Sequence, residues 1–447
     1  MEIDAIHVLE KIKTDNVKFV QLQFTDIHGT IKAVTIPIHQ LNEALEKGKW
    51  FDGSSIEGFS RIAESDMFLK PDVSTYAILP WEPEDRKVAR LVCDVHTPDG
   101  KSFFGDPRYI LKKVLKEAEE MGFVYNVGPE LEFFLFKPKE NGDIKPIPND
   151  GAGYFDYSPG YQSEIVRTDI ITAIEKLGLE VEASHHEVAP NQHEIGFKYG
   201  EALAQADKCM TFKLATKSIA ARHGLYATFM PKPIFGENGS GMHVHQSLFD
   251  SKTGKNLFFD PADKYKISKI AKSFIAGQLK NIKGISAITA PTVNSYKRLV
   301  PGYEAPVYIC WAQINRSSLI RIPRYSPGRE QATRCELRCP DPSCNPYLAF
   351  AVMLKAGLQG IKDNLEPPEP VEEDVYEFDA SELANHKIET LPASLGEAIM
   401  CLKESEVAKD TLGEHSFRVY LAAKEKEYDE FRLQVTEWEH KKYLETT

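Results

Sequence analysis

Three separate stretches of this chain set charged side chains at alternate positions. They are Glu130-Leu131-Glu132, His243-Val244-His245 and Arg334-Cys335-Glu336-Leu337-Arg338. On a β-strand, residues two apart point to the same face, so each stretch aims its polar groups one way and its apolar groups the other. The first runs on through Phe133, Phe134, Leu135 and Phe136, a composition suited to a strand in a buried sheet. Burying like charges without a counter-ion costs on the order of several kcal/mol per ion. These faces are therefore either solvated or matched, with something positive between the carboxylates and something negative between the arginines. A divalent metal together with phosphate meets both demands.

The bulk properties narrow the class of partner. A chain of 447 residues has room for two or three domains, and 42% hydrophobic with 27% charged residues is the composition of a soluble globular protein. The formal net charge of −12 argues against nucleic acid or an anionic membrane as the main partner. No stretch approaches the ~18 apolar residues of a membrane span, and residues 1–11 lack the apolar core of a signal peptide. Seven scattered cysteines read as reduced thiols, which fits the cytoplasm. Cys335, Cys339 and Cys344 are close together, but their spacing matches no common zinc pattern.

Along the chain, residues 1–100 read as a small α+β unit. A helix is expected at 3–13, strands at 17–25 and 31–36 around Asp26-Ile27-His28-Gly29, turn chemistry from Trp50 to Ser55, and a strand at 88–95. Asp106-Pro107 marks a helix start, with Asp as N-cap and Pro at the first position, running to about residue 121. The domain boundary is expected just before it, giving domains 1–104 and 105–447. Further helices are expected at 163–177, 199–223, 267–282, 345–365 and 395–403, with a charged terminal helix at 417–443.

Five glutamates and one histidine form the acidic set: Glu130, Glu132, Glu187, Glu194, Glu336 and His243. Glu187 and Glu194 flank a loop that could bring both to one point. A solvated face is the ordinary reading of any single pair, and two carboxylates alone would also serve a glycosidase, which gives the arginines no role. Five carboxylates against two dications leave roughly one net negative charge, an easy balance. Hard oxygen ligands favour magnesium or manganese, and manganese tolerates an added imidazole. The basic set is Arg298, Arg316, Arg321, Arg334 and Arg338, whose planar forks suit carboxylate and phosphate. No Walker A sequence is present, and the glycine-rich run 236–242 leads into a strand rather than a helix, so any ATP would be held by metals and arginines.

Taken in order, these motifs resemble type I glutamine synthetase over essentially the whole chain. The resemblance rests on Asp52-Gly53-Ser54-Ser55, Gly128-Pro129-Glu130-Leu131-Glu132-Phe133-Phe134, His185-His186-Glu187-Val188-Ala189-Pro190, Asn238-Gly239-Ser240-Gly241-Met242-His243, residues 297–306, residues 315–323 and Arg334-Cys335-Glu336-Leu337-Arg338-Cys339-Pro340. It implies ligation of ammonia to glutamate at the expense of ATP. It implies an α+β fold: a small N-terminal β-grasp domain, then a larger catalytic domain with a curved antiparallel sheet and surrounding helices. The implied assembly is a dodecamer of two hexameric rings with sites between subunits. By this resemblance Glu132, Glu187 and Glu194 hold one Mg2+ or Mn2+, and Glu130, His243 and Glu336 another. Arg298 and Arg338 hold glutamate, with Asn238 and Gly239 lining its site. Arg316, Arg321 and Arg334 meet phosphates, His245 the ATP and Tyr199 the adenine region. Asp52 from the adjacent subunit deprotonates ammonium, and Glu304 closes over the site as a flap.

Two positions depart from the family pattern: Asn191 and Gly196, where Gly and Asp are more frequent. The segment Asp374-Val375-Tyr376-Glu377-Phe378 does not match the adenylylated tyrosine segment, so no adenylylation is expected. The shorter alpha subtype fits best, with glutamine feedback through Arg61 and a PII-like protein as a candidate regulator; a plain salt bridge to Glu64 or Asp66 is the other reading of Arg61. The rival functions are a γ-glutamyl amine ligase of the same fold, acting on a polyamine or ethanolamine, and a non-catalytic protein of that fold.

Overall fold

The computed structural model describes residues 5–54, 56, 66–138, 146, 150–157 and 162–446. The N-terminal part builds a five-stranded sheet from β1 (Phe19–Thr25), β2 (Ile31–Pro37), β3 (Lys49–Asp52), β4 (Asp66–Ile78) and β5 (Val88–His96), in the order β2-β1-β5-β4-β3. Only β1 and β5 run parallel; the other pairings are antiparallel. Helices α1 (Ala5–Thr14) and α2 (Leu41–Lys47) belong to this part, whose own core includes Val8, Ile12, Val20, Leu22, Leu69 and Leu91. One expectation fails here: the segment from Trp50 reads as a turn but is the end of β3, because Trp50, Phe51 and Asp52 pair with Phe68, Met67 and Asp66.

The larger part is organised on the long strand β6 (Phe123–Phe136). With β7 (Val181–His186), β8 (Gln192–Phe197), β9 (Gly200–Glu201), β10 (Tyr226–Thr228), β11 (Met242–Asp250), β12 (Tyr308–Ala312), β13 (Ser318–Arg321) and β14 (Cys335–Leu337) it forms a nine-stranded sheet. The order is β12-β13-β14-β11-β6-β8-β7, and β9 and β10 also pair with β6. All pairings are antiparallel except β12 with β13.

Helices α3 (Pro107–Glu120), α4 (Gln162–Lys176), α5 (Ala202–Arg222), α6 (Lys269–Thr289), α7 (Ser295–Arg298), α8 (Pro346–Lys362), α9 (Ala380–Asn385), α10 (Leu395–Glu404), α11 (Glu406–Arg432) and α12 (Glu437–Tyr443) complete this part. The start of α3 is as expected: Asp106 accepts the Arg108 N–H at 3.0 Å and Pro107 opens the helix. The expected single terminal helix is two. α11 begins earlier, behind the Ser405 cap, and kinks at Gly413; Thr436 and Glu439 then form a capping box that starts α12 afresh.

Arg108 joins the two parts. Its buried guanidinium meets Asp72 and Asp94 of the first sheet at 2.7 Å each and Asp207 of α5 at 2.9 Å. Three carboxylates around one arginine satisfy its fork and hold the first sheet against α3 and α5. All seven cysteines are free. Among the described residues, no helix is long and apolar enough to cross a membrane.

Candidate active site

Strand β6 carries the site because its two faces differ. Leu131, Phe133 and Leu135 point into the main core, while Glu130 and Glu132 share the opposite face with Phe134 and Phe136. Register then brings the other charged stretches alongside. His243 of β11 lies opposite Glu130, and Glu336 of β14 lies opposite His245. On the other edge of β6, Glu194 of β8 lies opposite Glu132. The alternation seen in the sequence is thus one polar face assembled from four strands.

That face opens on a cavity of about 810 Å³. Its lining includes Glu130, Glu132, Glu187, Glu194, His243 and Glu336, and with them Asn238, Gly239, Arg298, Glu304, Arg316, Arg321 and Arg338. A smaller space of about 270 Å³ shares Glu130 and is lined by Tyr199, His245 and Arg334. Asp52 lines neither space; it is exposed at the end of β3, where it accepts the Ser54 N–H at 2.9 Å. Arg61 lies outside the described residues.

The donor atoms fall into groups. Glu130, His243 and Glu336 each offer an atom within 4.8 Å of the others, and so do His185, Glu187 and Glu194. His243 Nδ1 is 3.7 Å from Glu130 and 3.6 Å from Glu336. His185 Nε2 stands 2.7 Å from Glu187. Glu132 is placed differently from its expected partners: its Oε2 accepts from Gln192 at 2.7 Å and from the Gly241 N–H at 3.0 Å. Gly241 also makes room for Arg298, since a Cβ there would lie 2.6 Å from Arg298 Nη2.

The electrostatics separate the two groups. Burial opposes ionisation of Glu130 and Glu336. For Glu130 the neighbouring His245 and His243 overcome it, and for Glu336 the two histidines with Arg321 and Arg338 do; both carboxyls are held below the ordinary range. Burial and the nearby Glu187 push Glu132 up to about 8. Burial, then Glu130 and Glu132, push Glu194 up to about 10. A carboxylate cluster raised in this way lacks positive charge, and hard oxygen donors with one imidazole fit Mg2+ or Mn2+.

The arginines are not equivalent. Arg321 donates to Glu336 at 2.6 Å, and Arg334 donates to His245 Nδ1 at 3.1 Å. Arg338 Nη1 is buried with no hydrogen-bond partner, the state of a donor awaiting an anion. Arg298 instead commits its Nη1 and Nη2 to the carbonyls of Cys339, Pro340 and Arg338, so it shapes the backbone under the cavity. Arg316 and Glu304 are exposed at the rim, and Glu304 has φ of 56°, an uncommon backbone state for a non-glycine residue. The sequence reading missed Tyr154, His185, Gln192 and Tyr376 as lining residues. For His185 a signal existed: it stands two residues before Glu187, the same alternation as in the three opening stretches.

Two family models match the chain: the glutamine synthetase β-grasp domain over residues 16–98 and the glutamine synthetase catalytic domain over residues 104–443. The chain belongs to the glutamine synthetase family. Its relatives include the glutamine synthetases of Clostridium saccharobutylicum, 55% identical over 98% of each chain, and of Methanosarcina mazei, 56% identical over 98% of this chain and 97% of that one. The glutamine synthetase of Thermotoga maritima is 53% identical over 97% of this chain and 98% of its own. Among solved structures, a GmaS/ADP complex superposes with a TM-score of 0.88 at 32% identity, covering 98% of this chain and 99% of that one. The architecture is accordingly a β-grasp domain followed by a glutamine synthetase catalytic domain with a curled sheet and helices. As a member of this family the chain is an enzyme of ATP-dependent glutamine synthesis.

Proposed function

We propose that the polar face of β6, β8, β11 and β14 performs this ligation with two divalent ions, and that its residues divide the work as follows. Glu130, His243 and Glu336 hold one Mg2+ or Mn2+; Glu187 and Glu194, with Glu132, hold the other, and His185 orients Glu187. When bound, the ions neutralise charge on the transferring phosphoryl group and polarise its oxygens. The observation that carries this reading is the cross-strand pair Glu132–Glu194 with both carboxyls pushed up by their surroundings.

Arg338, with an unpaired buried Nη1, receives the glutamate carboxylate; Arg298 supports that position through the carbonyls it holds, and Asn238 and Gly239 line it. Arg316, Arg321 and Arg334 face the phosphates, with His245 and Tyr199 on the nucleotide side. The γ-carboxylate oxygen of glutamate attacks the terminal phosphorus of ATP, ADP leaves, and γ-glutamyl phosphate results. Ammonium is not a nucleophile, so Asp52 takes a proton from it. Ammonia then attacks the acyl carbon, the C–O bond to phosphate breaks, and the departing phosphate carries away the second nitrogen proton as hydrogen phosphate. Glu304, at the rim, closes over the acyl phosphate and keeps water from it.

Asp52 is exposed and lines neither space of its own chain, which supports a site completed by a second copy. The assembly we propose is the dodecamer, with the domains dividing at 104/105, and the compartment is the cytoplasm. The alpha subtype is our reading of the chain, with glutamine feedback at Arg61 and a PII-like regulator. Tyr376 donates its hydroxyl to the Ala305 carbonyl at 2.6 Å, which supports a structural tyrosine rather than a modified one.

A second reading, ligation of a larger amine, would use the same metals and arginines. Phosphate release from ATP and glutamate, measured with ammonium and with ethanolamine or a polyamine, separates the two. Phosphate and glutamine rising together with ammonium is the expected result. A response confined to an amine would replace the acceptor and leave the metal assignment standing.

A further inference from the structure

The β7–β8 hairpin is polar on both faces. His185, Glu187 and Glu194 belong to the catalytic side, and alternation puts His186 and His193 behind it. His186 and His193 are direct cross-strand partners, with ring centroids 4.9 Å apart in an edge-on arrangement. Asp150 joins them. Donor atoms of Asp150, His186 and His193 all lie within 4.8 Å of one another, and His186 Nε2 is 3.5 Å from Asp150 Oδ2.

All three side chains are sequestered: Asp150 is 3% exposed and His186 1%, and His193 is 0% exposed. Yet Asp150 Oδ2, His186 Nε2 and His193 Nε2 are each buried and make no closer contact than the 3.5 Å ion pair between the first two. Burying polar atoms without well-made hydrogen bonds is costly, and here three such atoms lie within 4.8 Å of one another. Their outward atoms are engaged. Asp150 Oδ1 accepts the Asn191 N–H at 2.8 Å. His186 Nδ1 donates to the Glu187 carbonyl at 2.7 Å, so in the neutral ring the lone pair lies on Nε2, and an ion there would displace the proton that Asp150 otherwise favours. A backbone carbonyl on one ring nitrogen and an open lone pair on the other is the usual dress of a metal-bound histidine.

We propose that Asp150, His186 and His193 bind a zinc-type dication behind the catalytic face, with solvent as fourth ligand. Two imidazoles and one carboxylate favour zinc over magnesium, in contrast to the carboxylate-rich set on the other side of the hairpin. Binding moves the ring proton of His193 to Nδ1, so the contact with Arg167 Nη1, 3.3 Å long, is given up; Arg167 keeps Glu164 at 2.5 Å. The ion ties together Asp150, which holds Asn191, and His186, which holds the Glu187 backbone. It thereby fixes the loop that presents Glu187.

The test is metal content after the protein is loaded with zinc and dialysed against excess Mg2+. About one zinc per chain should remain in the wild type and in Glu187→Gln, and be lost in His193→Gln and Asp150→Asn. X-ray absorption on the unmutated zinc protein needs no variant to fold: two imidazole nitrogens at about 2.0 Å are expected. Loss of all zinc on dialysis, a single imidazole in the absorption spectrum, or zinc lost in Glu187→Gln and kept in His193→Gln would overturn the proposal. The first result would mean that a proton or a water bridges the three groups.

Discussion

Glu132 and Glu194 stand directly opposite each other across the β6–β8 ladder, both at the wall of the main cavity. Side chains so placed have Cβ atoms roughly 4.5–5.5 Å apart, and like charges there are destabilising. The pair is tolerable in two ways: the carboxyls hold protons, or a cation lies between them.

The first consequence is a pH dependence of the metal-free enzyme. With the folded-state values raised to about 8 and about 10 by burial and neighbouring carboxylates, the folded protein retains protons that the unfolded chain releases near the ordinary carboxylate range. The associated stability is full below that range and is lost as pH rises through the folded values. Thermal melting of chelator-treated protein should therefore fall between pH 5 and pH 9. Added Mg2+ should restore it, most strongly at the alkaline end, by about 2.7 kcal/mol at a hundred times its dissociation constant. A melting temperature flat in pH, with no response to Mg2+, would contradict the cluster.

Glu336 is the junction of the second group. It meets His243 at 3.6 Å, Arg321 at 2.6 Å and Arg338 at 3.3 Å. Glu336→Ala should remove one manganese from the stoichiometry measured by electron paramagnetic resonance and lower turnover more than ~100-fold, beyond the 10–100-fold typical of losing an outer-shell partner. Unchanged manganese binding would sink its assignment as a ligand.

Asn191 shows how a departure from the family pattern can be compensated. Its φ of 65° is the state for which glycine is the default, but its Nδ2 donates to the Leu135 carbonyl at 2.7 Å and its N–H to Asp150 at 2.8 Å. Asn191→Gly relaxes the backbone yet forfeits the side-chain bond, so denaturant unfolding should show a loss of about 1–2 kcal/mol. Magnesium titration of activity should require a higher concentration, with turnover at saturation little changed. Equal or greater stability in Asn191→Gly would mean the side chain does not hold the loop.

Asp52 and Arg338 are assigned to different copies of the chain in any one site. Asp52→Ala and Arg338→Ala should each be inactive in ammonia ligation. Unfolded together and reassembled, they should recover activity, because some interfaces then pair an intact Asp52 with an intact Arg338. Mixtures that stay inactive while the wild type recovers would argue that each site is built within one chain.

Much of this was legible in the sequence because strand alternation is a strict rule: Glu130 with Glu132, His243 with His245, and Arg334 with Glu336 and Arg338 could each be put on one side of their own strand. Register itself was not legible, and it decides that Glu194 rather than Glu187 faces Glu132. Side-chain commitments were also invisible. The family resemblance implies that Arg298 holds glutamate; that its Nη1 and Nη2 also hold three carbonyls depends on backbone from residues 338–340 folding under α7. The end of β3 was misread because Asp52-Gly53-Ser54 is turn chemistry, whereas pairing with β4 continues through Asp52. Tertiary pairing overrode local preference there.

The central claim is that the carboxylate, arginine and metal face activates glutamate as an acyl phosphate. Glutamate labelled with ¹⁸O in its γ-carboxylate tests it most directly. With ATP, Mg2+ and ammonium, one labelled oxygen per turnover should appear in the released phosphate, and glutamine should keep the other. Phosphate free of label, while glutamine is formed, would contradict the account.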